Sequence, residues 1–186
     1  PRIVETCGGM INAIGLENVG FDVFVREKLP FLQSLDTAVI VNLYGKRVDD
    51  YRELARRIDA LEGIAGIELN ISCPNVKAGG MAFGTDPEVA YAVTKAARDE
   101  TTLPLIVKLS PNVTDISTIA RQVEKGGATA VSLINTVSAM AVDVAAKKPK
   151  LGNRVGGLSG PAIKPIALRM VWEAVRAVDI PVIGIG

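Results

Sequence analysis

The chain has 186 residues, of which 48% are hydrophobic and 22% charged, and its formal net charge is +1. This composition is typical of a globular domain with one core, and its balanced charge gives no footprint for nucleic acid or an anionic membrane. Histidine is absent, which excludes serine–histidine catalysis, cysteine–histidine catalysis and histidine-ligated zinc within this stretch of sequence. The two distant cysteines form neither a disulfide framework nor a metal-spaced cluster.

Strand and helix patterns alternate through most of the chain. Short apolar or β-branched runs predict buried parallel strands at 37–43, 66–70, 105–109, 129–135 and 182–185. Between them, apolar stripes at helical spacing predict helices after Lys46, after Asp86, after Asp115 and from Pro161. Such alternation implies right-handed crossovers and either a doubly wound sheet or part of a barrel.

The predicted helices have recognisable starts and inward faces. Asp86 precedes Pro87, a capping side chain before proline at the first helical position, and Asp115 opens the next helix. The last helix is predicted to bury Trp172 in the core together with an apolar stripe formed by Ile163, Ile166, Ala167, Met170 and Ala174.

Polar side chains at the strand ends favour the barrel. Asn42, Asn70, Lys108 and the pair Asn135-Thr136 close four successive predicted strands, as expected at a barrel mouth. No Gly-x-Gly-x-x-Gly turn follows the first strand, which argues against a dinucleotide fold. Because strand side chains alternate, Glu68 and Lys108 are predicted to share the inner face and to form an ion pair there.

The segment Asn70-Ile71-Ser72-Cys73-Pro74-Asn75 places a thiol between two carboxamides where a strand gives way to a loop. A lone cysteine is more often a small buried hydrophobe, but the two flanking carboxamides favour a reacting group. The glycine-rich stretch that follows, 76–85, is predicted to act as a lid.

Together these features resemble the dihydroorotate dehydrogenases over essentially the whole chain. The matching segments are residues 12–16, 70–75, 107–111, 134–136 and 157–161. Cysteine at position 73 resembles class 1 enzymes, and residues 83–88 look like the NAD-linked class 1B branch. The resemblance implies an α/β fold, a (β/α)8 TIM barrel, present here as an incomplete segment covering about strands 3 to 7. Residues 1–186 would form a single partial FMN-binding domain with a lid-like insertion at about 137–159.

The resemblance also implies roles for individual residues. Cys73 would be the catalytic base. The pyrimidine would be held by Asn12, Ala13, Ile14, Gly15, Leu16, Asn70, Asn75, Asn135 and Thr136. FMN would be contacted by Asn42, Asn70, Lys108, Ile134, Gly160 and Gly186, and no metal site is expected.

The implied activity is the oxidation of dihydroorotate to orotate in pyrimidine biosynthesis, with hydride passing to FMN and electrons passing to NAD. A homodimer of catalytic subunits would work in the cytoplasm with a partner subunit carrying FAD and an iron–sulfur cluster, without nucleic acid or membrane. Three alternatives stay open: a class 1A enzyme using fumarate, another FMN-dependent pyrimidine oxidoreductase, and a non-catalytic truncated barrel segment.

By the family pattern the chain lacks the first two barrel strands and everything after the seventh. We therefore expect two unpaired sheet edges, and weak or no FMN binding by these residues alone.

Overall fold

Eleven strands form the framework of the chain, which the structure, a computed structural model, describes at residues 1–72 and 83–185. They are β1 (Ile3–Thr6), β2 (Gly9–Asn12), β3 (Ile40–Leu43), β4 (Gly66–Asn70), β5 (Leu105–Lys108), β6 (Ala130–Leu133), β7 (Val137–Met140), β8 (Val142–Asp143), β9 (Lys148–Pro149), β10 (Val155–Ser159) and β11 (Val182–Gly184). A five-stranded parallel sheet has the order β11-β6-β5-β4-β3. The five predicted strands are therefore confirmed, four of them shorter than predicted.

The helices are α1 (Phe21–Val23), a π-helical turn (Phe24–Lys28), α2 (Leu29–Gln33), α3 (Val48–Asp59), α4 (Pro87–Arg98), α5 (Ile116–Lys125) and α6 (Lys164–Val175). Helices α3, α4, α5 and α6 each lie between successive strands of the parallel sheet, whereas the three shorter helical segments precede β3. Asp86 and Asp115 cap α4 and α5 as predicted, each carboxylate accepting two backbone N–H bonds. The segment from Pro161 begins as a 3-10 turn, Pro161–Ile163, and becomes α-helical at Lys164.

One face of the parallel sheet is packed against helices. Its side chains come from alternate positions of the three central strands and have no exposed surface: Ile67, Leu69, Leu105, Val107, Val131 and Leu133. Helices α3, α4 and α5 supply the facing apolar residues, including Ile58, Val93 and Ile119. This helix-covered layer, called the outer face below, contains most of the buried apolar surface.

The opposite layer, called the inner face below, mixes polar and exposed apolar groups. Asn42, Glu68, Lys108 and Ser132 project from it, as the register of the parallel strands requires. At the two edge strands it exposes Ile40 (51%) and Ile183 (40%), whereas Ile106 in the middle is buried. The sheet is an open segment of a (β/α)8 barrel with β3 and β11 at its edges, which confirms the predicted fold class.

A second sheet is antiparallel and has the order β1-β2-β10-β7. Residues 137–159, predicted as a lid-like insertion, supply its strands β7 and β10 and a small β8–β9 hairpin at the far end. The sequence did not predict that β1 and β2 would complete this sheet. Whether the insertion acts as a lid stays a prediction.

Helix α6 departs from its predicted packing. Ile163, Ala167, Met170 and Ala174 are buried, but Ile166 is 38% exposed. Trp172, predicted in the core, is 60% exposed, and the Arg176 guanidinium lies 4.9 Å from its ring centroid. Helical spacing located the stripe correctly but overestimated its width.

Among the helices of the described residues, none combines the length and the apolar character that crossing a bilayer requires.

Candidate active site

The carboxyl ends of β4 and β5 bring together two of the predicted site residues, Asn70 and Lys108, beside Ser132 of β6. Asn70 is opposite Lys108 in the β4–β5 register, and Lys108 is opposite Ser132 in the β5–β6 register. Since paired positions of parallel strands face the same side, Asn70, Lys108 and Ser132 form one row on the inner face. The predicted convergence of polar groups at this end is thus present in the structure.

A chain of hydrogen bonds links the ends of β4 and β6. Asn135 Nδ2 donates to Ser72 Oγ over 2.6 Å, and Ser72 Oγ donates to Asn70 Oδ1 over 2.7 Å. The backbone N–H of Thr136 donates to Asn135 Oδ1 over 2.7 Å. Asn70 and Ser72 are buried, at 7% and 3% exposure, so these bonds are shielded from water. Two predicted ligands of the pyrimidine are therefore connected through a serine that the sequence reasoning did not single out.

Glu68 does not pair with Lys108, contrary to the prediction. Its carboxylate accepts from Asn42 Nδ2 over 2.5 Å and from Ser132 Oγ over 2.6 Å. Asn42 is opposite Glu68 on the neighbouring strand, and Ser132 is two strands away and two residues further along, so the second bond is diagonal. Alternation identified the shared face correctly, but strand tilt selected a hydroxyl in place of the ammonium as the partner.

Lys108 is half-buried on the inner face. Within residues 1–72 and 83–185 its ammonium has no ion-pair or hydrogen-bond partner. An amine on a buried strand would ordinarily be paired or exposed, so this arrangement leaves one positive charge available to a ligand.

Tyr51 supports the same strand end from helix α3. Its side chain is fully buried, and its hydroxyl donates to the backbone oxygen of Asn70 over 2.8 Å. The ring packs edge-on against Phe83, with centroids 5.6 Å apart. Tyr51 belongs to the apolar stripe predicted after Lys46, but helical spacing gave no signal that its hydroxyl would hold the end of β4.

The predicted pyrimidine-binding residues 12–16 are divided between two places. Asn12, on β2, donates from Nδ2 to the backbone oxygen of Gly157 over 3.3 Å, within the antiparallel sheet. Gly15 and Leu16 border a cleft along β3 that also includes Asn42. The cleft is lined by Gly15, Leu16, Glu17, Asn18, Val19, Gly20, Phe21, Phe24, Val41, Asn42, Leu43, Tyr44, Leu54 and Ile58.

Ala13 and Ile14 connect these two places. The backbone N–H of Ala13 donates to the backbone oxygen of Arg2 over 2.8 Å, and the Arg2 guanidinium donates to the backbone oxygen of Ile14 over 2.6 Å. Hydrogen bonds between Arg2 and the backbone of Ala13 and Ile14 therefore hold this segment in place.

Thr136 joins the antiparallel sheet to the strand ends. Its side chain packs directly against Gly157, where a Cβ atom would collide with Thr136 Oγ1. Asn112 Nδ2 donates to the backbone oxygen of Thr136 over 3.2 Å. Asn12 and Thr136 therefore both contact Gly157, which brings two predicted ligands of the pyrimidine to one glycine.

The predicted FMN contacts beyond the inner face have structural roles of their own. Ile134 is 3% exposed, and its backbone N–H donates to Ile185 over 2.7 Å, between the ends of β6 and β11. Gly160 has φ 105° and lies so close to Gly9 that a Cβ would come within 2.7 Å of the Gly9 Cα. These observations explain why isoleucine at position 134 and glycine at position 160 suit the fold. The contacts of both residues with FMN stay predictions.

Cys73, Asn75 and Gly186 lie outside the described residues, so the roles predicted for them stay predictions. The predicted lid at 76–85 is also outside them except for its last three residues. No group of three or more histidine, cysteine or acidic side chains within the described ranges could hold a metal ion.

Comparison with known proteins gives a consistent result. The family model described as dihydroorotate dehydrogenase matches residues 1–186. The chain is 60% identical to the dihydroorotate dehydrogenase B (NAD(+)) catalytic subunits of Geotalea uraniireducens and Geobacter sulfurreducens, and 59% identical to that of Citrifermentans bemidjiense. Each match covers 100% of this chain and 61% of the relative, so the chain spans about three fifths of the length of these curated proteins. The resemblance noted in the sequence is confirmed, and the chain belongs to the dihydroorotate dehydrogenase family.

Proposed function

We propose that the protein oxidises dihydroorotate to orotate in pyrimidine biosynthesis, as an FMN-dependent enzyme of the NAD-linked class 1B. The family membership of the whole chain and the names of its relatives support this proposal. The observation that carries it is the junction of β4, β5 and β6, where the linked carboxamides of Asn70 and Asn135 lie at the same strand ends as Lys108, whose ammonium has no partner among the described residues.

These residues suit a planar pyrimidine acid. The ring carries alternating carbonyl and N–H groups, and a carboxamide can both donate and accept hydrogen bonds. Carboxamides also add no negative charge beside an anionic substrate. Asn70 and Asn135 would bind the ring, with Asn75, Thr136 and residues 12–16 completing the proposed set: Asn12, Ala13, Ile14, Gly15 and Leu16.

The inner face also suits FMN. Asn42, Asn70 and Lys108 supply donors and one positive charge on a face that also carries apolar side chains such as Ile106. Lys108 has no competing partner among the described residues, as a residue that neutralises a bound anion requires. These three, with Ile134, Gly160 and Gly186, would hold the cofactor. FMN, when bound, would supply the hydride acceptor for the substrate C6.

The chain itself would move the proton. Cys73 would take it from C5 of dihydroorotate, because a thiol ionises near ~8.5 and can act as a base near neutral pH when its surroundings favour the thiolate. Lys108 would hold its positive charge where negative charge develops during oxidation. The carboxamides would orient the ring so that the C5 proton faces the thiol.

Electron transfer to NAD would require a partner. The similar proteins are named as catalytic subunits, and nothing in this sequence suggests a nicotinamide site. We propose a homodimer of catalytic subunits in the cytoplasm, bound to a subunit that carries FAD and an iron–sulfur cluster.

Stopped-flow spectroscopy tests the proposal. The full-length, FMN-loaded protein should lose its flavin absorbance rapidly when mixed anaerobically with dihydroorotate. Cys73→Ala should slow this step severely, and Cys73→Ser should recover partly as the pH rises, because a hydroxyl is far less acidic than a thiol. A flavin that dihydroorotate does not reduce would refute the proposed activity, whereas normal reduction in Cys73→Ala would refute only the proposed base.

A further inference from the structure

Ser72 joins two carboxamides that come from different strands. Its hydroxyl lies between Asn70, at the end of β4, and Asn135, just after β6, with bonds of 2.7 and 2.6 Å. Strand β5 separates β4 from β6 in the sheet, so this hydroxyl bridges across a strand. At 3% exposure it is shielded from competing water.

A backbone N–H group at each end sets the direction of the hydrogen bonds. The Thr136 N–H donates to Asn135 Oδ1 over 2.7 Å, and because an N–H can only donate, the oxygen of this amide must face Thr136. Asn135 Nδ2 therefore faces Ser72. The backbone N–H of Ser72 donates to Asn70 Oδ1 over 3.3 Å, which turns the oxygen of that amide toward Ser72.

The hydroxyl of Ser72 completes the pattern. It has a single hydrogen, and since it accepts from Asn135 Nδ2, that hydrogen is free to go to Asn70 Oδ1. Asn70 Nδ2 is then left without a partner among residues 1–72 and 83–185. Its two N–H groups, and the second N–H of Asn135, are the donors that remain available to a ligand.

We propose that Ser72 is a positioning residue that determines specificity, because it holds Asn70 and Asn135 in one amide orientation and makes this edge of the site a row of N–H donors. Such an edge selects a ligand edge that carries carbonyl or carboxylate oxygens. The inference rests on the proposed function, in which both asparagines contact the pyrimidine. Without the hydroxyl, each amide keeps only its bond from a backbone N–H group, so its position is less restricted and the row of donors is less well aligned with the ligand.

The test compares Ser72→Ala with the wild type in the full-length, FMN-loaded protein. Orotate is titrated while the flavin spectrum is followed. The dissociation constant for orotate should rise roughly tenfold, the effect of about one well-formed hydrogen bond. FMN content and Tm should stay close to those of the wild type, and the KM for dihydroorotate should rise more than the rate of flavin reduction falls.

Thr94→Val is the matched control. Thr94 is a fully buried hydroxyl on α4 that donates to Ala90 of its own helix over 2.8 Å. Removing that hydroxyl should leave the orotate affinity unchanged. Ser72→Cys nearly keeps the shape of the side chain, but a thiol is a weak hydrogen-bond donor, so this variant should bind orotate with intermediate affinity. If Ser72→Ala loses FMN, Ser72→Cys is compared with the wild type in its place.

A double-mutant cycle with Asn135→Ala shows whether Ser72 acts through that amide. The combined variant should weaken orotate binding by less than the product of the two single effects, since part of the Ser72 effect requires Asn135. Unchanged orotate affinity in Ser72→Ala, or fully multiplicative effects, would overturn the inference alone. A wild-type holoenzyme that does not bind orotate would overturn the proposed function and this inference with it.

Discussion

The two faces of the parallel sheet are built from the same strands but differ in the kind of side chain that they carry. On the outer face Ile67, Leu69 and Val107 have no exposed surface and pack against helices. On the inner face the neighbouring positions are Glu68, Asn70 and Lys108. Glu68 and Asn70 form hydrogen bonds with other side chains, whereas the Lys108 ammonium has no partner among the described residues. Since successive side chains of a strand point in opposite directions, a shift of one residue separates a packing role from a binding role.

This difference indicates where substitutions should change stability and where they should change function. Removing an outer-face side chain leaves a cavity in a closely packed layer. Removing an inner-face side chain leaves the packing largely intact but alters charge and hydrogen bonding. Adjacent residues on one strand therefore make natural test pairs.

The largest expected effect is the destabilisation caused by Leu69→Ala. Leu69 is fully buried on β4, and its truncation should reduce the free energy of unfolding by roughly 2 to 5 kcal/mol. The flavin reduction rate per folded, FMN-loaded molecule should be close to that of the wild type. Denaturant unfolding and stopped-flow reduction measure the two quantities, and a loss of rate without a loss of stability would contradict the division between the faces.

Lys108→Ala should have the opposite profile. Loss of a positioned charge costs on the order of 3 kcal/mol in the transition state, so flavin reduction by dihydroorotate should slow by about two orders of magnitude. The Tm should change little, because Lys108 has no partner among the described residues. Val107→Ala, its fully buried neighbour on β5, is the control and should lower the Tm without slowing reduction. If only orotate affinity falls in Lys108→Ala, this residue is a substrate ligand instead.

Glu68→Gln should have a smaller effect on both quantities. The carboxylate accepts from Asn42 and Ser132, whereas a glutamine offers only one oxygen, so one bond must be lost or reversed. We expect a loss of about 1 kcal/mol in the free energy of unfolding and a modest loss of FMN affinity through Asn42. Ser132→Ala should give a similar loss of stability. An FMN affinity that increases in Glu68→Gln would show that the carboxylate opposes cofactor binding.

The smallest expected effect concerns acid stability away from the inner face. A hydrogen bond from the Thr101 hydroxyl, followed by one from the Thr102 backbone N–H, holds the pKa of Asp59 below its ordinary value of 3.8. A carboxylate with a lowered folded-state pKa stabilises the protein above its unfolded-state pKa, and this stabilisation is lost as the pH falls through the folded-state pKa. Asp59→Asn should therefore lower the Tm at pH 7, and its difference from the wild type should shrink below about pH 4.

Asp36→Asn, which removes an exposed carboxylate without a hydrogen bond or ion pair among the described residues, is the control for this titration. Its difference from the wild type should stay small throughout. A difference between Asp59→Asn and the wild type that does not depend on pH would contradict the assignment.

Local signals in the sequence were sufficient for the outer face. Short apolar runs located all five parallel strands, and Asp86 and Asp115 marked the helix starts that the structure shows. These features depend on residues that are close together in the chain. The same reasoning placed Asn42, Asn70 and Lys108 at one end of the sheet, because parallel strands bring their carboxyl ends together.

The hydrogen-bond partners of the inner-face side chains depend on distances between strands, which cannot be read from the sequence. Alternation places Glu68 and Lys108 on one face, but strand tilt brings Ser132 closer to the carboxylate. Ser72 was overlooked because its role requires Asn135, which is 63 positions away in the chain. Trp172 was misplaced for a related reason, since helical spacing does not show how wide the buried stripe is.

The antiparallel sheet affects the order in which the protein can fold. Asn12 and Gly157 are hydrogen-bonded across β2 and β10 although 145 positions separate them. During synthesis β1 and β2 leave the ribosome before β3 to β6, and β10 follows only after these four strands. The parallel strands β3 to β6 can instead pair in the order in which they emerge, each closing a shorter loop. The sheet that contains Asn12 and contacts Thr136 through Gly157 can therefore be completed only after β3 to β6 have been synthesised.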